Sequence, residues 1–419
     1  MSAGTEGAAT GAQSATFFRS RWVDAPTHVR ELASQLLPAG FRAAGVAAGI
    51  KPDGLDVGVL ASDEADTVSA ARFTTNARAG APVIVSRAAQ LDGLRAVAAN
   101  SGSSNVGDGT RGIETAVAMQ QAAAEVLGVD LEQVAVASTG VIGLELPRAK
   151  VVEGVRSACR ELGGGTEDFS QAILTSDAGP KRACLEVELP SGTVRLAAQA
   201  KGAGMISPRH ATMFCFVQTD ATLDADTLDL LTGVCVKRSF DRISVDGQLS
   251  TSDTVVSMAS GASGIRVEPE SPDELALGEA LDALLRQLAL EIVHDGEGAR
   301  RVGRIVVTGR PEAVEPVARA VANSPLVKTA LYGGDPNFGR ILQAAGQVWP
   351  PGEPFVADLY IEGYQVVSAG EAVDPAPAEL VQADEVEYAL TLPGEGGETE
   401  VFFSDLSPDY VNFNAEYRS

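Results

Sequence analysis

Residues 183–217, ACLEVELPSGTVRLAAQAKGAGMISPRHATMFCFV, form the stretch that decides the plan of the chain. The runs ACLEVEL and TVRLAAQA flank the turn sequence PSG, which is a pattern typical of a β-hairpin. The hairpin leads into a glycine-rich loop that begins at Lys201, and the apolar run MFCFV follows that loop. A glycine loop between two β-runs predicts the mouth of a site, and a simple tight turn is the alternative.

The stretches on either side alternate between strand and helix patterns. Short β-like runs before the hairpin are LDVGVLAS, VSAARF, APVIVS, LRAVAAN and QVAVAS, the last ending at Thr139-Gly140. Helices are predicted over residues 112–127, 224–236, 273–294 and 312–323, and RIVVTG predicts a further strand. Strand-rich segments with helices between them indicate an α+β fold in which helices pack on the sheets.

Composition excludes several classes of protein. The 419 residues contain 32 Lys and Arg against 56 Asp and Glu, a net charge of −24. This excess works against a nucleic-acid footprint, which requires clustered cations. The four cysteines are far apart in sequence and there are three histidines, so neither a zinc site nor any other metal site is predicted.

The beginning of the chain resembles neither a secretory signal nor a membrane anchor. It lacks a basic segment followed by an apolar one, and no apolar run reaches the ~18 residues of a membrane span. We therefore expect a cytoplasmic protein with reduced thiols and no membrane partner. Residues 1–33 are rich in Ala, Gly, Ser and Thr and predict a flexible tail, with folding expected to begin near Gly40.

Many separated motifs in one order resemble the family of bifunctional ornithine acetyltransferase and N-acetylglutamate synthase enzymes of arginine biosynthesis, which process themselves and use a threonine nucleophile. The match extends from about Gly45 to Ser419. The motifs are FTTN, STGVIG, LTSDAGPK, KGAGMISPRHATM, ISVDGQLSTSDT, HDGEGA, NSPLVKTA, GDPNFGR and DYVNFNAEYRS. The resemblance implies a two-lobed fold and transfer of acetyl from N-acetyl-L-ornithine to L-glutamate.

The resemblance also implies self-cleavage between Ala211 and Thr212. The α chain would then comprise residues 34–211 after the tail, and the β chain residues 212–419. Thr212 would become the nucleophile, and its new α-amine, with an ordinary pKa of ~7.7–8.0, suits a general base near neutral pH. No cofactor is implied, acetyl-CoA stays open as a second acyl donor, and a heterotetramer of two α and two β chains is expected.

The family's other site residues map onto particular positions of this chain. Thr139 and Gly140 correspond to the catalytic pair that stabilises the oxyanion, and a turn that ends a strand is the alternative. The substrate-binding positions are Thr175, Lys201, Thr212, Glu297, Asn414 and Ser419. For Glu297 a surface turn, for Asn414 a turn cap and for Ser419 a frayed terminus are the alternatives.

Other polar residues have less specific interpretations. His28 and His294 are predicted to be structural. Arg340 has either an electrostatic role at the site or a structural ion pair. A last group lacks the ligand order of a calcium loop and is interpreted as structural polar contacts: Asp246, Ser250, Thr251 and Asp253.

The chain departs from the family pattern near the expected site. Arg209 and His210 precede Ala211, where the family usually has Pro-Asn-Met or a similar run that ends in an apolar residue. His210 therefore has either a processing or substrate role or a place in an exposed loop. Ser103, Ser104 and Ala178 are further departures that predict an altered pocket lining. Two alternative functions follow. One is an acyltransferase or amidohydrolase acting on another N-acyl amino acid in specialised metabolism, and the other is an uncut amino-acid-binding homologue.

Overall fold

The computed structural model describes residues 16–207, 213–373 and 376–416, and these parts of the chain alternate between strands and helices. The strands are β1 (Val29–Glu31), β2 (Phe41–Val46), β3 (Val57–Ser62), β4 (Val68–Phe73), β5 (Ala96–Asn100), β6 (Val134–Ser138), β7 (Lys181–Leu189), β8 (Gly192–Lys201), β9 (Phe214–Thr219), β10 (Ile243–Ser244), β11 (Thr254–Ala259), β12 (Val302–Gly309), β13 (Asp358–Ile361), β14 (Tyr364–Ser368), β15 (Glu371–Ala372), β16 (Glu385–Thr391) and β17 (Gly397–Ser404). The helices are α1 (Ala81–Arg87), α2 (Thr110–Leu127), α3 (Arg148–Arg160), α4 (Glu167–Ala172), α5 (Ala225–Arg238), α6 (Pro272–His294), α7 (Pro311–Ala322), α8 (Pro325–Gly333), α9 (Phe338–Gly346) and α10 (Pro408–Glu416).

A six-stranded sheet holds the stretch that decides the fold. Its strand order is β1-β7-β8-β9-β11-β4. The predicted hairpin is confirmed, because β7 and β8 are antiparallel partners joined at Leu189 and Gly192. Strand β8 then pairs with β9, with Lys201 opposite Phe214. The predicted α and β chains therefore both contribute strands to one sheet.

The six-stranded sheet packs face to face against a four-stranded sheet of order β2-β3-β5-β6. Phe214 and Phe216 of β9 point into the layer between the sheets, where Leu60 and Val97 meet them. The alternate residues Cys215 and Val217 point to the other face, which α6 covers. Helices α2 and α3 cover the outer face of the four-stranded sheet. The result is a helix-sheet-sheet-helix arrangement.

A seven-stranded sheet of order β10-β17-β12-β16-β13-β14-β15 forms the second lobe. Helices α7 and α9 pack on it through residues such as Val317 and Ile341. The 23-residue helix α6 connects the lobes, since its apolar side packs against both β7 and Phe402 of β17. The mixed α+β fold predicted from the sequence is thus confirmed. None of the helices in the described parts of the chain has the length and apolar character that a bilayer span requires.

One predicted strand is wrong. The run APVIVS belongs to helix α1, which spans Ala81–Arg87. Pro82 occupies the first turn, where its fixed φ suits a helix and its missing N–H costs nothing. Ser86 is buried and its hydroxyl donates to the carbonyl oxygen of Val136 in β6. Packing against the sheet therefore overrides the strand preference of the valines and isoleucine.

The predicted tail of residues 1–33 extends too far along the chain. From residue 16 onward the described chain is packed: Phe17 and Trp22 contact the core under α6. The amide of Phe17 donates to a carboxylate oxygen of Glu31 at 2.8 Å, and β1 pairs with β7. These aromatic residues bury apolar area without any periodic pattern, so the sequence shows no sign of their packing. Residues 1–15 lie outside the described residues.

We predict that Phe216→Ala lowers the free energy of unfolding by ~3–5 kcal/mol, because it removes a fully buried ring from between the sheets. The ring of Phe216 is 5.6 Å from that of Phe169 and 5.7 Å from that of Phe214, measured between centroids. Urea unfolding followed by circular dichroism measures the loss. Leu230→Ala is the control, since this side chain on α5 is 58% exposed, and it should cost less than ~0.5 kcal/mol. Equal losses in the two variants would contradict the packing described for β9.

Candidate active site

Three of the predicted site residues meet at the end of strand β8. Lys201 is the last residue of β8 and is only 2% exposed. Its Nζ donates to Thr175 Oγ1 at 2.7 Å, and Thr139 Oγ1 lies 3.4 Å from the same nitrogen. Thr139 directly follows β6 of the four-stranded sheet, so the contact joins strand ends of two different sheets. The structure therefore brings Thr139, Thr175 and Lys201 together.

Asp177 is the counter-ion of this cluster, and the sequence interpretation did not assign it a role. Its side chain is fully buried, and its carboxylate lies 3.5 Å from Lys201 Nζ and 2.8 Å from Lys181 Nζ. It also accepts from the amide of Gly202 at 2.6 Å. Asp177 and Lys181 are four residues apart, but Asp177 lies in a loop and Lys181 begins β7, so this spacing did not predict the pair as it would on a helix.

The two buried lysines fix the charge of Asp177. Burial alone would raise the pKa of Asp177, but the charges of Lys201 and Lys181 and their hydrogen bonds outweigh burial and hold the pKa well below its usual range. Burial lowers the pKa of Lys201, and the neighbouring Lys181 lowers it further against the attraction of Asp177. The ionised carboxylate of Asp177 thus stabilises the charged form of the buried Lys201 side chain.

The turn at Thr139–Gly140 has a backbone shape that requires glycine. Gly140 has a φ of +128°, and a Cβ placed on it would lie 2.4 Å from the carbonyl carbon of Gly102. The turn is held by the amide of Thr139, which donates to Asn100 O at 3.0 Å. The Thr139 hydroxyl is thereby held beside the ammonium of Lys201, which is an arrangement suited to stabilising a developing oxyanion.

Ser103 and Ser104, which depart from the family pattern, support this turn from behind. Both are buried, and their hydroxyls donate to the carbonyl oxygens of Leu144 and Val141 at 2.7 and 2.8 Å. These two side chains therefore do not produce the predicted change in the pocket lining. Their hydroxyls instead hold the loop that follows Gly140.

Glu297 and Asn414 meet on the other side of the glycine loop. Glu297 accepts from Ser176 Oγ at 2.7 Å and from Asn414 Nδ2 at 2.8 Å. A Cβ on Gly204 would lie 2.5 Å from Glu297 Oε1, so a larger residue there would displace the end of this side chain from its present contacts. Glu297 is therefore part of the cluster rather than a free surface turn, and the exposed Asn414 on α10 reaches it from the last described helix.

Two aspartates hold the chain on either side of residues 208–212. Asp246 accepts from the amides of Met205 and Ile206 at 2.7 and 2.9 Å. Asp253 Oδ1 accepts from the amide of Met213 at 3.1 Å. Both were predicted to make structural polar contacts, and these hydrogen bonds agree. The expected cleavage site and nucleophile, together with three other predicted residues, lie outside the described residues: Ala211, Thr212, Arg209, His210 and Ser419.

The remaining predicted polar residues make contacts elsewhere. His28 Nε2 is 2.9 Å from Ala276 O, and His294 Nε2 is 3.1 Å from a carboxylate oxygen of Glu385. Both histidines thus have the structural roles predicted for them. Arg340 Nη1 donates to Leu326 O at 2.8 Å and to Thr329 Oγ1 at 3.2 Å, so its contacts are to α8 rather than to a site residue.

A buried ammonium, hydroxyl donors and a glycine turn that converge at strand ends define the protein as an enzyme acting on a small polar substrate. The model of the ArgJ family matches residues 42–419. The chain therefore belongs to the ArgJ family, and the resemblance predicted from the sequence is confirmed.

Individual relatives agree with this assignment. The arginine biosynthesis bifunctional protein ArgJ of Symbiobacterium thermophilum is 41% identical over 393 residues, covering 91% of this chain and 98% of that protein. The glutamate N-acetyltransferase of Methanocaldococcus jannaschii is 37% identical over 399 residues, covering 91% and 97%. Among solved structures, ornithine acetyltransferase from Mycobacterium tuberculosis complexed with ornithine is 36% identical, with a TM-score of 0.40, covering 43% of this chain and 98% of that one.

We predict that Asp177→Asn destabilises the protein by ~3–5 kcal/mol at neutral pH, because the buried Lys201 loses a buried counter-ion and Lys181 keeps only its ion pair with Asp295. The pKa of Asp177 is lower in the folded protein than in the unfolded chain. The ionised carboxylate therefore makes its full contribution to the free energy of unfolding at pH values above the unfolded pKa. This contribution declines as the pH falls below ~4 toward the folded pKa. Urea unfolding between pH 3 and pH 8 should therefore show a difference from the wild type that shrinks only at the acidic end.

Asp63→Asn is the matched control for this experiment. Asp63 also pairs with a cation, Arg42, but both side chains are nearly half exposed, at 46% and 45%. Exposed pairs contribute at most ~1 kcal/mol. If the Asp177 variant lost no more stability than the Asp63 variant, the ion pairs of Asp177 would not be the element that holds the cluster together.

Proposed function

We propose that this enzyme transfers acetyl from N-acetyl-L-ornithine to L-glutamate through an ester on Thr212. The observation that carries the proposal is the contact of the buried Lys201 ammonium with both Thr175 and Thr139. It places a cation and two hydroxyls around one point at the start of the glycine loop, which leads along the chain toward Thr212. The names of the relatives, glutamate N-acetyltransferase and ornithine acetyltransferase, support the same reaction.

The nucleophile in this proposal is created by self-cleavage between Ala211 and Thr212. The hydroxyl of Thr212 is a weak nucleophile, and the α-amine released on the same residue removes its proton as Oγ1 attacks the acetyl carbonyl. The carbon–nitrogen bond of the donor then breaks, and the amine of ornithine leaves with that proton. Attack by the amine of glutamate on the ester reverses these steps and releases N-acetylglutamate.

Thr139 and Gly140 stabilise the negative oxygen of the tetrahedral intermediates. The Thr139 hydroxyl and the Gly140 backbone amide are the donors, held in place by the positive φ at Gly140 and by the bond from Thr139 to Asn100. Such a donor contributes ~2.7–4 kcal/mol to transition-state stabilisation.

Substrate binding divides between the two sides of the glycine loop. Lys201 and Thr175 suit the carboxylate of the amino acid, because a buried ammonium and a hydroxyl both donate to carboxylate oxygens. Glu297, oriented by Ser176 and Asn414, suits the side-chain ammonium of ornithine. Ser419 closes the site in this proposal, as does the helix α10 that carries Asn414.

The proposal needs neither an organic cofactor nor a metal ion, and acetyl-CoA is a second donor to be tested beside N-acetylornithine. The assembly proposed is a heterotetramer of two α and two β chains. A cytoplasmic location and the absence of nucleic-acid partners stay predictions from the sequence.

We predict that Thr212→Ala leaves one full-length chain without transferase activity, because it removes both the hydroxyl and the residue at which the chain is cut. Intact-mass spectrometry of the wild type should show two species, residues 1–211 and 212–419. Thr193→Ala is the control: Thr193 is exposed in β8, and its variant should be cut and active like the wild type. Robust transfer by the Thr212 variant would remove this residue from the mechanism, and a wild type that releases acetate without forming N-acetylglutamate would indicate an amidohydrolase.

We predict that Glu297→Gln lowers kcat/KM for N-acetyl-L-ornithine ~10- to 100-fold, the value of a lost charged hydrogen bond. Glutamine keeps the size of the side chain and loses its charge. The matched substrate is N-acetyl-L-norvaline, which has the same carbon chain without the ammonium. Wild-type enzyme should prefer the ornithine donor, and the variant should have lost that preference. Equal falls in kcat/KM for both donors would instead show that Glu297 acts on the shape of the glycine loop.

A further inference from the structure

Residues 174–176, Leu-Thr-Ser, form a short segment at the site whose members contact groups of different charge. The carbonyl oxygen of the first residue accepts from Lys51 Nζ at 3.1 Å. The hydroxyl of the second accepts from Lys201 Nζ at 2.7 Å, and the hydroxyl of the third donates to Glu297 Oε1 at 2.7 Å. Consecutive Cα atoms are ~3.8 Å apart, so a very short stretch of chain holds two ammonium groups and one carboxylate in that order.

Lys51 differs from the other lysines near this segment in its lack of a carboxylate partner. Lys201 Nζ lies 3.5 Å from the carboxylate of Asp177, and Lys181 pairs with both Asp177 and Asp295. Among the described residues, the bond to the segment is the one hydrogen bond of Lys51 Nζ, and no carboxylate forms an ion pair with it. An ammonium has three N–H donors, so two donors of Lys51 can serve a ligand.

The position of Lys51 is fixed by its own backbone and by the turn that carries Gly140. The amide of Lys51 donates to the buried carboxylate of Asp56 at 3.0 Å. Its side chain passes Gly102, where an added Cβ would lie 2.9 Å from Lys51 Cγ, and Gly102 is the residue against which Gly140 packs. The half-buried side chain of Lys51 thus extends from this turn to the segment 174–176.

We propose that Lys51 binds the side-chain carboxylate of the acceptor, so that one site serves amino acids whose side chains have opposite charges. Lys201 then holds the α-carboxylate that donor and acceptor both carry. The side-chain ammonium of ornithine extends toward Glu297, and the side-chain carboxylate of glutamate extends toward Lys51. The inference rests on the proposed function, because it assigns a partner to the group that distinguishes the acceptor from the donor.

An acceptor with two carboxylates needs a second cation. Glu297, which suits an ammonium, would repel the side-chain carboxylate of glutamate, because like charges at short range in a partly buried site are unfavourable. Lys201 is 2% exposed, and its donors already face two threonine hydroxyls and Asp177, so it cannot also neutralise a second substrate carboxylate. Lys51 is the cation on this segment that has no counter-ion among the described residues.

The pKa of Lys51 agrees with a ligand of negative charge. Burial lowers this pKa, and the charge of Lys201 lowers it further against the attraction of Asp56 and Asp177. A carboxylate bound at Nζ opposes both effects, since a neighbouring opposite charge favours the ionised form. An acidic amino acid would therefore stabilise the ammonium that binds it.

The test is the kinetics of Lys51→Met, in which an unbranched apolar side chain still passes Gly102 but the charge is lost. The two half-reactions are separable, because kcat/KM for the donor reports formation of the acetyl ester and kcat/KM for the acceptor reports its transfer. We expect kcat/KM for L-glutamate to fall ~10- to 100-fold, the value of a lost charged hydrogen bond, and that for N-acetyl-L-ornithine to change less than ~3-fold.

A matched acceptor and matched variants separate this role from a structural one. L-Glutamine has the side-chain length of L-glutamate without its charge. The wild type should prefer L-glutamate, and Lys51→Met should have lost that preference. Lys51→Arg keeps the positive charge and should retain the preference. Lys51→Gln is a second neutral variant in case the methionine variant does not fold.

Lys150→Met is the control. Lys150 is an exposed lysine of α3 whose Nζ likewise donates to a backbone carbonyl oxygen, that of Gly49, at 2.7 Å. This contact is close to Lys51 in sequence but does not involve the segment 174–176. The control variant should therefore have the wild-type kcat/KM for both substrates.

The outcomes are distinguishable. A wild type that transfers no acetyl to an amino acid would overturn the proposed function and this inference with it. An active wild type without a preference for L-glutamate over L-glutamine, or neutral Lys51 variants that keep this preference, would overturn the role of Lys51 alone. Equal falls in kcat/KM for donor and acceptor would do the same, because Lys51 would then act on the shape of the segment 174–176.

Discussion

The ion pair between Asp177 and Lys201 is the interaction on which the site depends. Lys201 ends a central strand of the six-stranded sheet and is almost completely buried, a place where an unpaired ammonium costs several kcal/mol (~3–5 when one partner is removed). Asp177 supplies the opposite charge and also binds Lys181 and the amide of Gly202. A single carboxylate thereby attaches the segment after α4 to the end of β8 and to the beginning of the glycine loop.

The other site residues come from separate elements of the fold. Thr139 follows a strand of the four-stranded sheet, Glu297 follows α6, and Asn414 lies on α10. These elements meet only because the two sheets pack face to face and because α6 contacts both lobes. Self-cleavage is compatible with this arrangement: the hydrogen bonds between β8 and β9 would hold the two proposed chains in one sheet after the peptide bond between them is broken.

The sequence predicted the elements better than their contacts. The β7–β8 hairpin and helices such as α2 and α6 follow from local patterns, and the motifs pointed to Thr139, Thr175, Lys201 and Glu297 one by one. It did not predict that Lys201 would bridge the two threonines or that Asp177 would be their counter-ion, since these contacts join segments far apart in the chain. Helix α1 was mistaken for a strand because its valines favour strands and its tertiary packing has no local signal.

The whole chain is strongly acidic, yet three lysines gather beside one segment of the site, where carboxylates such as Asp177 and Asp295 partly balance them. The protein carries a net charge of −24, yet Lys201, Lys181 and Lys51 all lie near the segment that contains Thr175. Lys51 Nζ donates to Leu174 O at 3.1 Å, and burial lowers the pKa of Lys51 while Lys201 lowers it further. Screening by dissolved salt weakens the electrostatic effect of the many surface carboxylates at distances beyond ~8 Å. Buried charges, in contrast, act at short range in a less polar medium. Two amino-acid substrates that each carry a carboxylate would therefore be attracted by the local cations despite the acidic surface.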